Sequence, residues 1–102
     1  MTYNRKILAQ AALEYHSIIG YLTSTLSSPQ AAKDSINEFE HQLNLVCEMP
    51  MLYGLSKIEE LAVLGYRSFL VKKYIAIYKI KGNCVIVAHI FHQSQDYAKF
   101  VL

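Results

Sequence analysis

The side chains best suited to acid–base chemistry lie near the end of the sequence, at His92 and Tyr97. Histidine is the side chain whose ordinary pKa allows proton transfer near neutral pH. The predicted strand pairing places His92 opposite Lys73, and an imidazole near an ammonium and a tyrosine could form a small acid–base site. The alternative is structural: His92 closes the end of a sheet, and Tyr97 packs the tail of the chain.

A second group of side chains could hold a phosphate or an acidic partner. Arg67, Lys72 and Lys73 lie in the basic part of the chain, residues 64–102, which has a formal charge of +5, whereas residues 1–63 carry −3. A basic surface of this kind suits an acidic partner or phosphate. The alternative is that the two lysines form a solvated turn and that Arg67 pairs with a nearby carboxylate.

Length and composition limit the class of protein. The chain has 102 residues, of which 53% are hydrophobic and 18% charged, which predicts a single domain over residues 1–102 and excludes a disordered chain. Cys47 and Cys84 lie in apolar stretches, and we expect both to be reduced. We expect no metal and no cofactor, because neither metal-ligand spacing nor a Gly-rich phosphate loop is present. The sequence contains neither a membrane-length apolar stretch nor an apolar leader, which predicts a cytoplasmic protein.

The periodicity of apolar residues predicts an α+β fold. A short N-terminal strand is followed by an antiparallel hairpin of two helices and a three-stranded antiparallel sheet. Ser28 and Pro29 have the residue types that begin a helix, and Pro50 follows its predicted end. The predicted elements are strand Tyr3–Leu8, helices 10–26 and 29–48, a helical turn at 57–61, strands 66–71, 74–80 and 84–92, and a tail at 96–102.

The two-residue turn Gly82-Asn83 sets the predicted register of the last hairpin, with Lys81 opposite Cys84. Further from the turn, the predicted pairs are Tyr78 with Val87, Ile77 with Ala88, and Ile75 with Ile90. In this register both faces of the hairpin are apolar. One helical hairpin covers only one face of a sheet, so we expect the second face to be open and to bind a partner protein. The predicted first face carries Tyr74, Ala76, Tyr78, Val85, Val87, His89 and Phe91, and the predicted open face carries Ile75, Ile77, Ile86, Ala88 and Ile90.

Four sequence features occur in an order that one known family shares. They are Ser28-Pro29-Gln30-Ala31-Ala32 after a long helix, Met49-Pro50 at the end of the second helix, Gly65-Tyr66-Arg67 before a strand with Tyr74 and Tyr78, and Ile90-Phe91-His92 followed by Asp96-Tyr97. In these features nearly the whole chain resembles the RelE/ParE superfamily of bacterial toxins, and it looks closer to the ParE side.

The resemblance implies the same fold and the toxin component of a bacterial type II toxin–antitoxin pair. Such a toxin would inhibit growth by binding an essential target, for which the ParE side implies DNA gyrase. An antitoxin from the same operon would wrap its flexible C-terminal part around the toxin, and operator DNA would be contacted only through the antitoxin. The expected antitoxin-binding surface is the predicted open face, with Ile75, Ile77, Ile86, Ala88 and Ile90.

Two alternatives remain from the same superfamily. The first is a ribosome-dependent messenger RNA endoribonuclease of the RelE type, in which His92 and Tyr97 are the acid–base residues and Arg67, Lys72 and Lys73 hold phosphate. The second is an inactive member that binds an antitoxin and regulates its own operon. Whether the chain is an enzyme therefore stays open.

The sequence departs from the ribonuclease relatives at two places. They carry an arginine directly after the first tyrosine of the Tyr-x-x-x-Tyr strand, where this chain has Ile75. They carry another basic residue just beyond the last strand, where this chain reads Gln93-Ser94-Gln95. An isoleucine cannot hold a phosphate, so these departures argue against the ribonuclease. ParE-like relatives also often carry arginines in this region, so the same departures weaken the gyrase-directed interpretation, though less severely.

Overall fold

The structure is a computed structural model that describes residues 2–101, so the end of the predicted tail, Leu102, lies outside the described residues. Strands and helices follow one another in the predicted order. They are β1 (Asn4–Ile7), α1 (Ala9–Gly20), which continues as a π-helical turn (Tyr21–Thr25), α2 (Pro29–Glu48), α3 (Glu59–Val63), β2 (Arg67–Val71), β3 (Tyr74–Lys81), β4 (Cys84–His92) and α4 (Ala98–Val101).

The two long helices form the predicted hairpin, and local sequence signals set its ends. The hydroxyl of Ser28 accepts a hydrogen bond from the Ala31 N–H at 3.2 Å, and Pro29 occupies the first helical position. This cap and this proline were both predicted. The rings of Tyr15 and Phe39 pack with centroids 4.8 Å apart, which joins the two helices through one aromatic contact.

The sheet has four strands rather than the predicted three, in the order β1-β4-β3-β2. The additional strand is β1, which was predicted as a strand but not as part of this sheet, and it pairs in parallel with β4. Its backbone contacts include the Asn4 N–H to the Asn83 carbonyl at 2.8 Å and the Leu8 N–H to the Val87 carbonyl at 3.0 Å. Backbone groups of the β4 edge need partners, and β1 supplies them as far as Val87.

A β-bulge at Ala88 changes the predicted register of the β3–β4 hairpin. Lys81 pairs with Cys84 and Tyr78 with Val87 as predicted, but the register then shifts between Tyr78 and Ile77 and leaves Ala88 without a partner in β3. The predicted pairs Ile77–Ala88, Ile75–Ile90 and Lys73–His92 are therefore wrong. A bulge inserts one residue into one strand, so every later side chain moves to the opposite face. The observed pairs are Ile77 with His89, Ala76 with Ile90, Ile75 with Phe91, and Tyr74 with His92.

The helices α1 and α2 cover one face of the sheet. Because of the bulge, Ile90 lies on this face, and His89 and Phe91 do not, contrary to the predicted faces. Most of the core lies here and is built by Ala11, Phe39, Leu43, Val46, Cys47, Phe69, Val71, Ala76, Tyr78, Val85, Val87 and Ile90.

The second face of the sheet was expected to be open, but the chain covers it with its own short elements. Ile75, Ile77 and Phe91 pack against Leu61 of α3. Partly buried side chains from the linker and the C-terminal segment complete this cluster, namely Ile58, Tyr66, Tyr97, Ala98 and Val101. The prediction of an uncovered face failed because it assigned no covering role to α3 and α4, which have only five and four residues.

Candidate functional site

The structure brings three of the predicted site residues, Lys72, Lys73 and His92, to one cleft of about 760 Å³. The cleft lies between the end of α1 with its π-helical turn, the beginning of α2, and the turn that joins β2 to β3. Its lining is formed by Ser17, Ile18, Tyr21, Leu22, Leu26, Ala31, Asp34, Ser35, Lys72, Lys73, Tyr74 and His92.

His92 reaches this cleft because the bulge places its side chain on the helix-covered side of the sheet. Its ring meets the ring of Tyr74 edge-on, with centroids 5.5 Å apart. The Ser94 N–H donates to His92 Nδ1 at 3.2 Å, and the Ser94 hydroxyl lies 2.7 Å from the same nitrogen. These contacts use Nδ1 to fix the turn after β4, which favours the structural interpretation of His92.

The two lysines form the turn between β2 and β3. Lys72 has φ 56°, a left-handed conformation that non-glycine residues seldom adopt. The carbonyl of Lys73 accepts the Gln93 N–H at 2.9 Å, which joins this turn to the end of β4. Both ammonium groups are exposed, whereas Asp34, the acidic residue of the lining, accepts a hydrogen bond from Gln30 at 2.8 Å. The lining is therefore weakly cationic.

Tyr74 forms part of the cleft wall and stays protonated at neutral pH. Burial raises the pKa of the Tyr74 phenol above its usual value, and the nearby Tyr21 raises it further. A phenol with a raised pKa is a hydrogen-bond donor and not a base under these conditions. Two further polar groups of the lining already have partners, since His92 Nδ1 is held by Ser94 and Asp34 by Gln30. Beside them the cleft offers apolar contact, two cations and a phenolic donor, which are groups suited to binding.

Two other predicted site residues lie away from this cleft. Arg67 Nη1 donates to the Tyr53 carbonyl at 2.7 Å, so its guanidinium holds the linker after α2. The ring of Tyr97 stacks on Phe91, with centroids 6.0 Å apart and planes at 14°. Tyr97 therefore belongs to the second face, and the predicted acid–base residues His92 and Tyr97 lie on opposite sides of the sheet.

The residues predicted to bind the antitoxin are covered in the free chain. Ile75, Ile77, Ala88 and Ile90 are buried, and Ile86 is half-buried. Ile90 also faces α1 and α2 rather than the second face, because of the bulge at Ala88. Antitoxin contact at these positions stays a prediction.

Sequence reasoning missed the role of Glu14, the single Asp, Glu, Lys or Arg of α1. Within residues 2–101, no strand lies beside the β1 side of β4 beyond Val87, because β1 ends at Ile7. Glu14 Oε1 accepts the Ile90 N–H at 2.9 Å, and Oε2 lies 3.1 Å from His89 Nδ1. The carboxylate therefore caps the open edge of β4. A lone charged residue in an otherwise uncharged helix was the available signal.

A smaller cavity of about 430 Å³ adjoins the large cleft on the Glu14 side. The two cavities share Ser17, Ile18, Tyr74 and His92.

Residues 2–101 contain no cluster of three or more His, Cys, Asp or Glu side chains that could hold a metal ion. Cys47 and Cys84 are both free thiols. No helix within residues 2–101 combines the length and the apolar character that crossing a membrane requires.

Comparison with solved structures defines the fold class first. The ParDE toxin–antitoxin system of P. aeruginosa matches with a TM-score of 0.70 and 17% identity, over 89% of this chain and 96% of that chain. The RelBE2 toxin–antitoxin complex of Mycobacterium tuberculosis matches with a TM-score of 0.62 and 19% identity, over 90% of this chain and 99% of that chain. The YoeB dimer of Staphylococcus aureus matches with a TM-score of 0.61 and 15% identity, over 90% of this chain and 98% of that chain. The fold is therefore the RelE/ParE toxin fold.

The family follows from the sequence match. The model of the family "ParE toxin of type II toxin-antitoxin system, parDE" matches residues 6–97, so the chain belongs to the ParE toxin family. A search of curated proteins found no match. The predicted membership of the RelE/ParE superfamily, the preference for its ParE side, and the reading as a toxin of a type II pair are confirmed.

Proposed function

We propose that this toxin inhibits its target by binding and does not cleave phosphodiester bonds. The observation that carries the proposal is the separation of the candidate cleavage residues. His92 contacts Tyr74 and Ser94 on one side of the sheet, Tyr97 stacks on Phe91 on the other side, and the guanidinium of Arg67 bonds a backbone carbonyl. General acid–base cleavage needs these groups around one phosphate.

The target is proposed from family likeness and from exposed charge. DNA gyrase is the target that the ParE family suggests, and the ribosome with its messenger RNA is the other candidate. Lys72 and Lys73 are the predicted target-binding residues that remain exposed beside the cleft. Adjacent cations on a turn attract an acidic surface and increase the rate of association with it.

We propose a cognate antitoxin as the partner that neutralises the toxin, in the cytoplasm of a bacterium. Two of the similar solved structures are described as a toxin–antitoxin system and a toxin–antitoxin complex. Antitoxin contact with Ile75 and Ile77 requires that the short elements over them move away, namely α3 with Leu61 and α4 with Ala98 and Val101. These helices have five and four residues, so both are small elements to displace.

The test is expression of the chain with and without the neighbouring small reading frame, followed by a gyrase supercoiling assay with the purified toxin. The proposal expects growth arrest with the chain alone, rescue by the partner, and inhibition of supercoiling. The double substitution Lys72→Glu with Lys73→Glu should abolish inhibition, whereas Lys81→Glu, at the end of β3 beside the other hairpin turn, should preserve it. Undiminished inhibition by the double variant would exclude these lysines from the target contact, and harmless expression of a folded chain would contradict toxicity.

A further inference from the structure

We propose that the uncovered half of the second sheet face binds the phosphodiester backbone of a nucleic acid through Lys6, Lys79 and Lys81. These three residues form the lysine patch. The inference goes beyond the proposed function, because the patch lies apart from the proposed target contact at Lys72 and Lys73. Lys73 precedes β3 and Lys81 ends it, so the length of β3, eight residues or about 26 Å of extended chain, separates the two surfaces.

The strand register places the three lysines side by side on this face. Lys81 of β3 pairs with Cys84 of β4. Ile86 lies between Lys79 of β3 and Lys6 of β1. Paired residues project to the same face of a sheet, and the intervening residues of β4 belong to the core under the helices, so the lysines lie on the second face. Their backbones are about 7 Å apart along β3 and about 10 Å apart across β4.

The short helices α3 and α4 cover only the other half of this face. Their cluster contains Ile75, Ile77 and Phe91, which lie toward the β2–β3 turn. Lys6 and Lys81, near the Gly82-Asn83 turn, are exposed. Ile75 also occupies the place where the ribonuclease relatives carry an arginine, so the lysine patch is separate from the cleavage site of those relatives.

The charges of the lysine patch are not neutralised within the chain. The four strands contain no Asp or Glu. Among residues 2–101 no ion pair joins a patch lysine to a carboxylate, including Glu59 and Glu60 of α3 on the same face. Lys79 Nζ lies 4.3 Å from the centroid of the Tyr66 ring. This contact restrains the ammonium and keeps its charge, so less side-chain freedom is lost when it binds a phosphate.

The two layers of the fold carry opposite charges. The four strands contain five cations and no anion. The helical layer, formed by α1, the π-helical turn and α2, contains five carboxylates and one lysine, a formal charge of −4. The electric field of such a molecule turns its sheet side toward a polyanion and increases the rate of association with it. The lysine patch lies on that side and faces away from the acidic helices.

The composition of the patch favours a nucleic acid over an acidic protein as its ligand. Lysine is depleted in protein–protein interfaces, where apolar and aromatic anchors at the centre dominate the binding energy. Here the lysines surround the centre, and the apolar side chains between them, Cys84 and Ile86, are half-buried. Protein–nucleic acid interfaces are much more positively charged, and lysines bind their phosphates without reading the base sequence. DNA and RNA share this backbone, so the experiment compares both.

The experiment measures fluorescence anisotropy of labelled probes with the full chain, made by cell-free synthesis. The probes are duplex DNA, single-stranded DNA and RNA of one sequence, and polyglutamate of similar charge. Three neutralised phosphates predict that the logarithm of the association constant falls with the logarithm of the salt concentration, with a slope of about −2.7 for a duplex and about −2.1 for a single strand. Raising the salt from 50 to 200 mM should therefore weaken binding by about 20-fold to 40-fold. The nucleic acid that binds most tightly identifies the source of the backbone.

Two triple variants with the same net charge test the location of the contact. The patch variant carries Lys6→Gln, Lys79→Gln and Lys81→Gln. The control variant replaces three exposed lysines outside the patch and carries Lys33→Gln, Lys57→Gln and Lys99→Gln. Each variant changes the formal net charge from +2 to −1. At 50 mM salt the patch variant should bind at least about tenfold more weakly and lose most of the salt dependence, whereas the control variant should stay within about threefold of the wild-type chain.

Amide chemical shifts of the wild-type chain add a readout that needs no variant: the nucleic acid should shift residues 4–6 and 79–86. Four outcomes would overturn the inference. They are the absence of binding at 50 mM salt, equal losses in the two variants, polyglutamate that binds as tightly as any nucleic acid, and shifts confined to the β2–β3 turn. None of these readouts involves growth or gyrase. A harmless chain that binds nucleic acid through the patch would refute the proposed function and keep this inference, and a gyrase inhibitor that binds none of the probes would do the reverse.

Discussion

Glu14 should stabilise the fold by satisfying the unpaired edge of β4. Its side chain is 14% exposed and that of His89 is 16% exposed, so both hydrogen bonds are largely shielded from water. A hydrogen bond to a charged group contributes about 1.5–3 kcal/mol, and an unsatisfied buried N–H costs a similar amount. Since the Ile90 N–H lies at a sheet edge that water can partly reach, Glu14→Ala should lower the free energy of unfolding by about 2 kcal/mol.

Chemical denaturation and thermal melting measure this effect. For a domain of about 100 residues, a loss of 2 kcal/mol lowers the melting temperature by roughly 10 °C. Glu14→Gln keeps a carbonyl oxygen for the Ile90 N–H and should recover at least half of the loss. Glu48→Ala, which removes an exposed carboxylate from the end of α2, is the matched control and should stay within about 0.5 kcal/mol. If Glu14→Ala is as mild as this control, Glu14 does not cap the edge.

Two further predictions concern the core. Phe39→Ala should lower the free energy of unfolding by about 3–5 kcal/mol, because the ring packs between Tyr15 and a second aromatic ring and is 2% exposed. Ser28→Ala should lower it by about 1 kcal/mol through the lost helix cap. Equal losses in denaturant titrations would exclude Phe39 from the core. Burial raises the pKa of Tyr78 to about 12 from its usual 10.0, against the opposing effect of Arg67. The unfolded state therefore releases this proton first. The stability that Tyr78 contributes is unchanged below pH 10 and falls by roughly 3 kcal/mol between pH 10 and 12. Tyr78→Phe should flatten this decline in unfolding measured against pH, and an unchanged slope would contradict the assignment.

Elements with local signals could be predicted from the sequence. The cap at Ser28, the proline at the start of α2 and the turn Gly82-Asn83 act within a few residues, so the helix and hairpin positions followed from them. The pairing of β1 with β4 joins residues about 80 positions apart and has no local signal. Similarly, β4 contains neither glycine nor proline around Ala88, so no residue type marked the bulge.

The candidate site, like the fold, could be predicted only where local signals determine it. Lys73 and His92 do lie at one end of the sheet, as the turn and strand lengths indicated. The side on which His92 lies depends on the bulge, and the cleft depends on the π-helical turn, which no periodicity distinguishes from an α-helix. Tyr97 was assigned near His92 by sequence proximity, whereas packing against Phe91 places it on the second face.

Cleavage of messenger RNA on programmed ribosomes is the measurement that tests most directly whether this toxin acts by binding alone. A phosphate-cleaving site that lacks one charge-stabilising donor typically loses about a hundredfold to a thousandfold in rate, and Ile75 and Gln95 stand where the ribonuclease relatives have such donors. The wild-type chain, His92→Ala and Tyr97→Ala should therefore all leave the messenger intact. Robust codon-dependent cleavage by the wild-type chain that disappears in a folded His92→Ala variant would contradict the binding mechanism and establish a ribonuclease.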